Sequence, residues 1–385
     1  MVYKRSSRRV TRRRRPSYRS GRTYRRSYRR TYTRRTPKTS CPPCECPKEL
    51  TPSAKFIMAQ LDPFEEVVQG AKVPDSNTIA SMANTDVDIV PLASTGVATD
   101  LIGMAFRPQY TWGTVLATPG GSLSWGAAYA TNASNRSKRA KFIQAVELVR
   151  PVAHAIRISS QLPPTNASGF VHIGLSIEAN FTDLTWKYPK TIAEMSNLQY
   201  YKRVTVASLT QSPFTCINKW LDDTAFRYSD PTADLSTGTG ISFQTDYGWA
   251  TIVVLVEGAP INSTVLSVEH LILTEGIPQR DSVVFGSPAA PNNPAAMSAA
   301  GAAVSQTQPF HTEAQQESYI QQGITIATEN AARAGRRVFE EVAMPLIART
   351  SYALAGTAVQ MGLNALTGRG GLPGVNNNPN RLAIG

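Results

Sequence analysis

Arginine and tyrosine carry the first chemistry this chain offers. Residues 1–38 hold 17 Lys or Arg and no acid, and the first carboxylate in the chain is Glu45. Most of that charge sits on Arg8, Arg9, Arg12, Arg13, Arg14, Arg15, Arg19, Arg22, Arg25, Arg26, Arg29, Arg30, Arg34 and Arg35. A guanidinium grips two phosphate oxygens at once, where an ammonium acts as a point charge. Tyr18, Tyr24, Tyr28 and Tyr32 are interleaved among the arginines, so stacking on unpaired bases is available too. Nothing in the run fixes a set of side chains against base edges, which predicts sequence-independent binding of a nucleic acid. Like charges repel and few aliphatic side chains are present to bury. Residues 1–50 therefore read as a disordered arm that ends in a Pro/Cys hinge. A nuclear-localisation address is the plainer reading of such a run, but the arm is longer than an address needs.

Other reactive residues are sparse. Cys41, Cys44 and Cys46 offer three thiols, short of a closed structural zinc site. Reduced thiols in a proline-stiffened hinge are expected there, with inter-subunit disulfides as the alternative. Cys216 stands alone in an apolar stretch and reads as core. Asp222 and Asp223, with Asp230 close by, could offer oxygen ligands to Ca²⁺, as could Asp86 with Asp88; surface carboxylates are the default. His154, His172, His270 and His311 are scattered, and His172 and His270 fall inside strand patterns. No phosphate-binding GxxxxGK[ST] loop, GxSxG elbow or HExxH pair occurs. An enzyme acting on a diffusible substrate is not expected, nor is a resident cofactor.

The elements that must carry these residues are written in the remaining composition. Removing the arm's 17 cations from the 40 Lys+Arg leaves 23 against 27 Asp+Glu, a formal balance of −4. The basicity belongs to one tail, joined to a near-neutral body whose share of hydrophobic residues suits a globular core. The charged N-terminus does not read as a secretory signal, and no apolar run approaches the ~20 residues of a membrane span. Apolar runs come short and separated by turns: Val87–Leu92, Tyr110–Ala117, Phe142–Val149, His154–Ser159, Phe170–Ile177, Val204–Leu209, Thr251–Val256 and Val265–Leu273. They are rich in Val, Ile, Thr and aromatics, with one helical interruption near Thr191–Tyr201. About eight strands without a βαβ rhythm predict an all-β fold, an eight-stranded antiparallel jelly roll over residues 51–285. Residues 286–310 read as a Pro/Ala/Ser/Asn linker, and 311–385 as a helical segment followed by a flexible tail.

This layout, taken with local sequence, resembles small icosahedral virus coats. The stretch from Trp249 to Pro278 is similar to the last two strands of insect nodavirus coat proteins, and Gly126–Glu178 to their middle strands. Val73-Pro74-Asp75 followed by Ile89–Val97 resembles their entry into the first strand. The Tyr-Arg-Arg repeats look more like the tails of circular single-stranded DNA virus capsids. The bacilladnaviruses of diatoms combine both features, and theirs is the family this chain most resembles.

The resemblance implies a major capsid protein of the virion, many copies of which form a shell around a single-stranded genome, DNA favoured over RNA. It also implies one reaction. Nodavirus coats cut themselves once at an Asn-Ala bond, and Asn330-Ala331 resembles that site, with Asp75 in the position of the assisting acid. A released segment 331–366 would be able to contact a membrane during entry, but a helix packed under the shell and lending cations to the genome is the favoured reading. A non-icosahedral nucleoprotein or chromatin-like protein remains the alternative reading of the arm. A nodavirus-like RNA virus coat with self-cleavage is a lesser one.

Overall fold

A computed structural model describes residues 50–108, 114–128, 141–142, 144–177, 188–230, 248–281 and 285–349. Among them, eleven strands form two antiparallel sheets. The first sheet has five strands in the order β1 (Met82–Ala93), β10 (Thr264–Pro278), β5 (Val146–Ser160), β8 (Phe214–Ile217) and β11 (Phe310–Thr312). The second has six, ordered β4 (Ser124–Ala128), β3 (Thr114–Thr118), β2 (Ile102–Phe106), β9 (Thr251–Glu257), β6 (Phe170–Ser176) and β7 (Tyr200–Thr205). The eight strands 1-10-5-8 and 2-9-6-7 are a jelly roll. Chain-adjacent strands such as β1 and β2, or β9 and β10, lie in opposite sheets, as rolling one long antiparallel hairpin over itself requires. The β3–β4 hairpin widens one sheet, and β11 closes the far edge of the other.

The inward faces make the core. Ile156, Ile158, Val268, Phe214 and Cys216 from the first sheet meet Met104, Phe106, Ile173, Val254 and Val256 from the second. Cys216 is thus a core residue, as expected. On β1 the inward positions include Asp86 and Asp88, while Val87 and Ile89 point outward and are exposed. Gly169 holds the corner before β6 with φ +98, where a Cβ would lie 2.4 Å from the Glu257 carbonyl oxygen. Only glycine suits that approach.

Several sequence expectations shift. Val146–Val149 and His154–Ser159 belong to one strand, β5, which carries Pro151 at a register shift between its Leu273 and Thr274 partners. A proline has no N–H to give the ladder, so it is placed where the pairing is already interrupted. Residues 141–142 and 144–145 are helical rather than extended. The strand expected at Val204–Leu209 starts earlier, as β7, and turns into a 3₁₀ helix at Ser208–Thr210. The helix near Thr191 is α2 (Ile192–Ser196).

A layer of helices covers the outer face of the first sheet. It contains α1 (Pro52–Leu61), α3 (Pro294–Gln306) and α4 (Glu313–Ala334), then Arg336–Val338, a π-helical turn at Phe339–Ala343, and α5 (Met344–Arg349). Thr51 starts α1 by accepting from the Ala54 N–H, with Pro52 in the first turn. Eight of the ten α1 residues are buried, because sheet and helices enclose the helix on opposite sides. The expected linker 286–310 is corrected here: Asn293 caps α3, whose Ala296, Ala299, Ala300 and Ala303 line up on one buried face.

Candidate functional site

Leu50 and Thr51 are where the described structure begins, and they tie into the C-terminal chain. Thr51 donates its hydroxyl to the Glu341 carbonyl (2.6 Å), and Ser53 donates to the Glu341 carboxylate (3.2 Å). Leu346 and Ile347, close to the last described residue, are buried in the cluster that holds Phe56, Ile57 and Leu61 of α1. The chain from the basic arm and the chain toward the C-terminal tail therefore both meet the body in its helical layer. Arg8, Arg9, Arg12, Arg13, Arg14, Arg15, Arg19, Arg22, Arg25, Arg26, Arg29, Arg30, Arg34 and Arg35 lie outside the described residues, as do Cys41, Cys44 and Cys46.

Asp75 belongs to a buried ionic network under this layer. Arg150 on β5 and Glu275 on β10 are cross-strand partners in register. Arg150 donates from Nε (2.9 Å) and Nη2 (2.7 Å) to one oxygen of Glu275, and its Nη1 reaches both Asp75 and the Phe226 carbonyl. Glu275 also accepts from the Val73 backbone N–H (3.1 Å) and from Ser81, so each of its oxygens is used. The Tyr228 ring lies 4.2 Å from the guanidinium carbon. Burial pulls against the Arg150 charge, but the Asp75 hydrogen bond and the Glu275 charge outweigh it and its pKa is raised. Nearby, Lys72 donates to the carbonyls of Ser81, Ser287 and Pro288, stitching the segment before β1 to the chain after β10.

Asn330 and Asp75, the attacking amide and the assisting acid of the expected self-cleavage, are not hydrogen-bonded to each other among the described residues. Asn330 lies within α4, where its side-chain nitrogen donates to the Ile326 carbonyl at 2.8 Å. Ala331 is fully buried. Asp75 is held by Arg150, and no hydrogen bond connects it to Asn330 among the described residues. An Asn amide occupied as a donor along its own helix is not aimed at its own carbonyl carbon. Both oxygens of Asp75 accept from the Arg150 guanidinium.

Asp222 caps the 3₁₀ helix Asp223–Phe226 by accepting from the Thr224 N–H at 2.8 Å. Both Asp222 and Asp223 are exposed. Among the described residues no three His, Cys, Asp or Glu gather as metal ligands do.

The sandwich interior holds a polar chain that the sequence did not reveal. Asn218 donates through Nδ2 to the Ala250 carbonyl (2.7 Å) and to Nδ1 of His154 (2.8 Å). His154 then carries its proton on Nε2, which faces Nε2 of His270 at 2.8 Å. His270 in turn points Nδ1 at the Thr114 hydroxyl (3.3 Å). Both rings are buried, and burial lowers the His154 pKa to about 3.

Three viral particle structures match this fold at low identity. The tobacco necrosis virus structure is 13% identical, with 54% of this chain and 96% of that chain covered and a TM-score of 0.34. The T13 infectious bursal disease virus particle gives 10% identity, 72% and 97% coverage, and a TM-score of 0.45. Cocksfoot mottle virus gives 12%, 55% and 97%, with a TM-score of 0.31. No protein-family model matches the chain, and no curated protein matches its sequence.

No helix among the described residues is long and apolar enough to cross a membrane. In the part of 331–366 that is described, Ala331, Ala332, Phe339, Val342, Ala343, Leu346 and Ile347 are buried in the cluster around α1. The described part of that segment thus uses its apolar side chains for packing.

Proposed function

We propose that this chain is a major capsid protein. Its jelly-roll body self-assembles into an icosahedral shell, and its arm neutralises a single-stranded viral genome without reading sequence. One observation carries the reading: a two-sheet 1-10-5-8 and 2-9-6-7 roll is joined to an acid-free arm of 17 cations, while the remainder is near neutral. The remainder, at a formal −4, carries no excess of cations, so condensation falls to the arm. Single-stranded DNA is favoured as the cargo by the bacilladnavirus-like Tyr-Arg-Arg repeats, and the virion is the protein's place.

Deleting residues 1–38 tests the reading. A capsid protein keeps assembling into closed shells that lose their genome or take up random cargo. A non-icosahedral nucleoprotein loses assembly altogether, and that result overturns the proposal. Treating nucleic acid extracted from purified particles with DNase and RNase separately decides the genome type. RNA alone favours the nodavirus-like alternative.

A further inference from the structure

His311 stands at the point where the C-terminal chain joins the first sheet. It is the middle residue of β11, paired with Thr215 of β8, and Thr312 beside it caps α4. Its ring is 2% exposed and stacks on Tyr319 of α4 with centroids 4.6 Å apart and planes 19° from parallel. Neither ring nitrogen has a hydrogen-bond partner among the described residues. A buried imidazole without partners is tolerable when neutral and strongly disfavoured when charged.

The groups around it do not offset that penalty. From β5 comes a cation, Arg157, which pairs with Glu269 of β10 at 3.6 Å. From α4 comes the Tyr319 ring, and from β8 Thr215, the residue paired with His311. Asp62, after α1, acts on Tyr319 and accepts from Gln316 of α4 at 2.6 Å. Burial first, and Arg157 second, lower the His311 pKa to about 4.

We propose that His311 is an acid-sensitive latch whose protonation opens β11 and the first turns of α4 from the sheet edge while the sandwich stays folded. Attached, the ring is neutral; opened, it regains the ordinary value near 6.5. Its contribution to attachment is complete above that value and is lost as pH falls from about 6.5 toward 4. The opening equilibrium should rise roughly 30-fold between pH 7.5 and pH 5. Protonation of Asp62 would weaken the same attachment, so only the difference between wild type and a His311 variant belongs to the latch. The inference does not depend on the capsid reading.

Amide hydrogen exchange on the full chain tests it, following residues 307–322 against β5 and β9 and correcting for intrinsic pH dependence. Wild type should show the roughly 30-fold rise in 307–322 alone. His311→Phe keeps the stack on Tyr319 and removes the titration, so its rise should be at least several-fold smaller. An equal rise in both proteins overturns the proposal, as does a rise shared by β5 and β9 or no rise in wild type. Should the variant fail to fold, imidazole C2-proton exchange of wild type, read by mass spectrometry, replaces it. A His311 midpoint below pH 5 supports the latch, and one near 6.5 overturns it.

Discussion

Arg150 keeps its charge where water does not reach, because three acceptors surround it: Glu275, Asp75 and the Phe226 carbonyl. Removing one partner of such a pair strands the other, so Glu275→Ala should destabilise the body by about 3–5 kcal/mol in urea unfolding. An Arg150→Met, Glu275→Leu double variant should cost less than the single one, since neither charge is then left alone. The same burial logic governs the sandwich interior, with the opposite outcome for charge. Both ring nitrogens of His154 are engaged while it is neutral, and a further proton would fall on Nδ1 and set two donors face to face across the Asn218 contact. Its folded pKa of about 3 lies below the unfolded value of 6.5. Stability from this group is therefore complete above pH 6.5 and falls as pH drops toward 3. The urea midpoint should decline steadily across that range at constant salt. At Asn330 the amide is already donating to Ile326, so the folded subunit should show only full-length mass. Little of this was legible in sequence. An Arg and a Glu inside apolar runs hint at pairing, but which strands are neighbours decides the partner, and β5 meets β10 across more than a hundred residues.

At the scale of elements, patterning was readable where side chains are large and failed where they are small. Alternation marked β6, while β9 was legible as an unbroken Val/Ile/Leu run, which is buried on both faces. The α3 segment looks like a linker in sequence because its buried face is alanine, which carries the helical spacing with almost no contrast against the Ser, Gly and Ala around it. What allows those small faces is close helix contact, and Gly323 on α4 shows how close. A Cβ there would lie 2.3 Å from a methyl of the buried Leu61 on α1. Glycine in a helix interior is normally worse than alanine by about 1 kcal/mol. Here the sign should invert. Gly323→Ala should lower unfolding stability by about 1–3 kcal/mol, as overpacking does, and Leu61→Val in the same chain should recover part of it. A Gly323→Ala protein as stable as wild type would show that α1 and α4 have slack.

For the whole molecule, the useful quantity is where charge sits relative to the fold. The sequence holds a net +13, yet the part beyond residue 38 balances to −4, so the body as a whole has no excess cation to offer nucleic acid. The described structure puts both ends of the body in one layer, since Thr51 bonds to Glu341 and Ile347 packs with α1. Binding should then carry the thermodynamic mark of the arm alone. If about ten phosphates are neutralised, the affinity of the full chain for a single-stranded oligonucleotide should fall with a log–log salt slope of roughly −7. The chain lacking residues 1–38 should show a slope near zero and little binding at low salt. Fluorescence anisotropy over a salt series measures both. A truncated chain that keeps a steep slope would place a second cationic surface on the body and remove the division of labour between neutral shell and basic arm. Sequence preference among oligonucleotides of equal length should be absent in the same titrations, because phosphate and stacking contacts are common to every base.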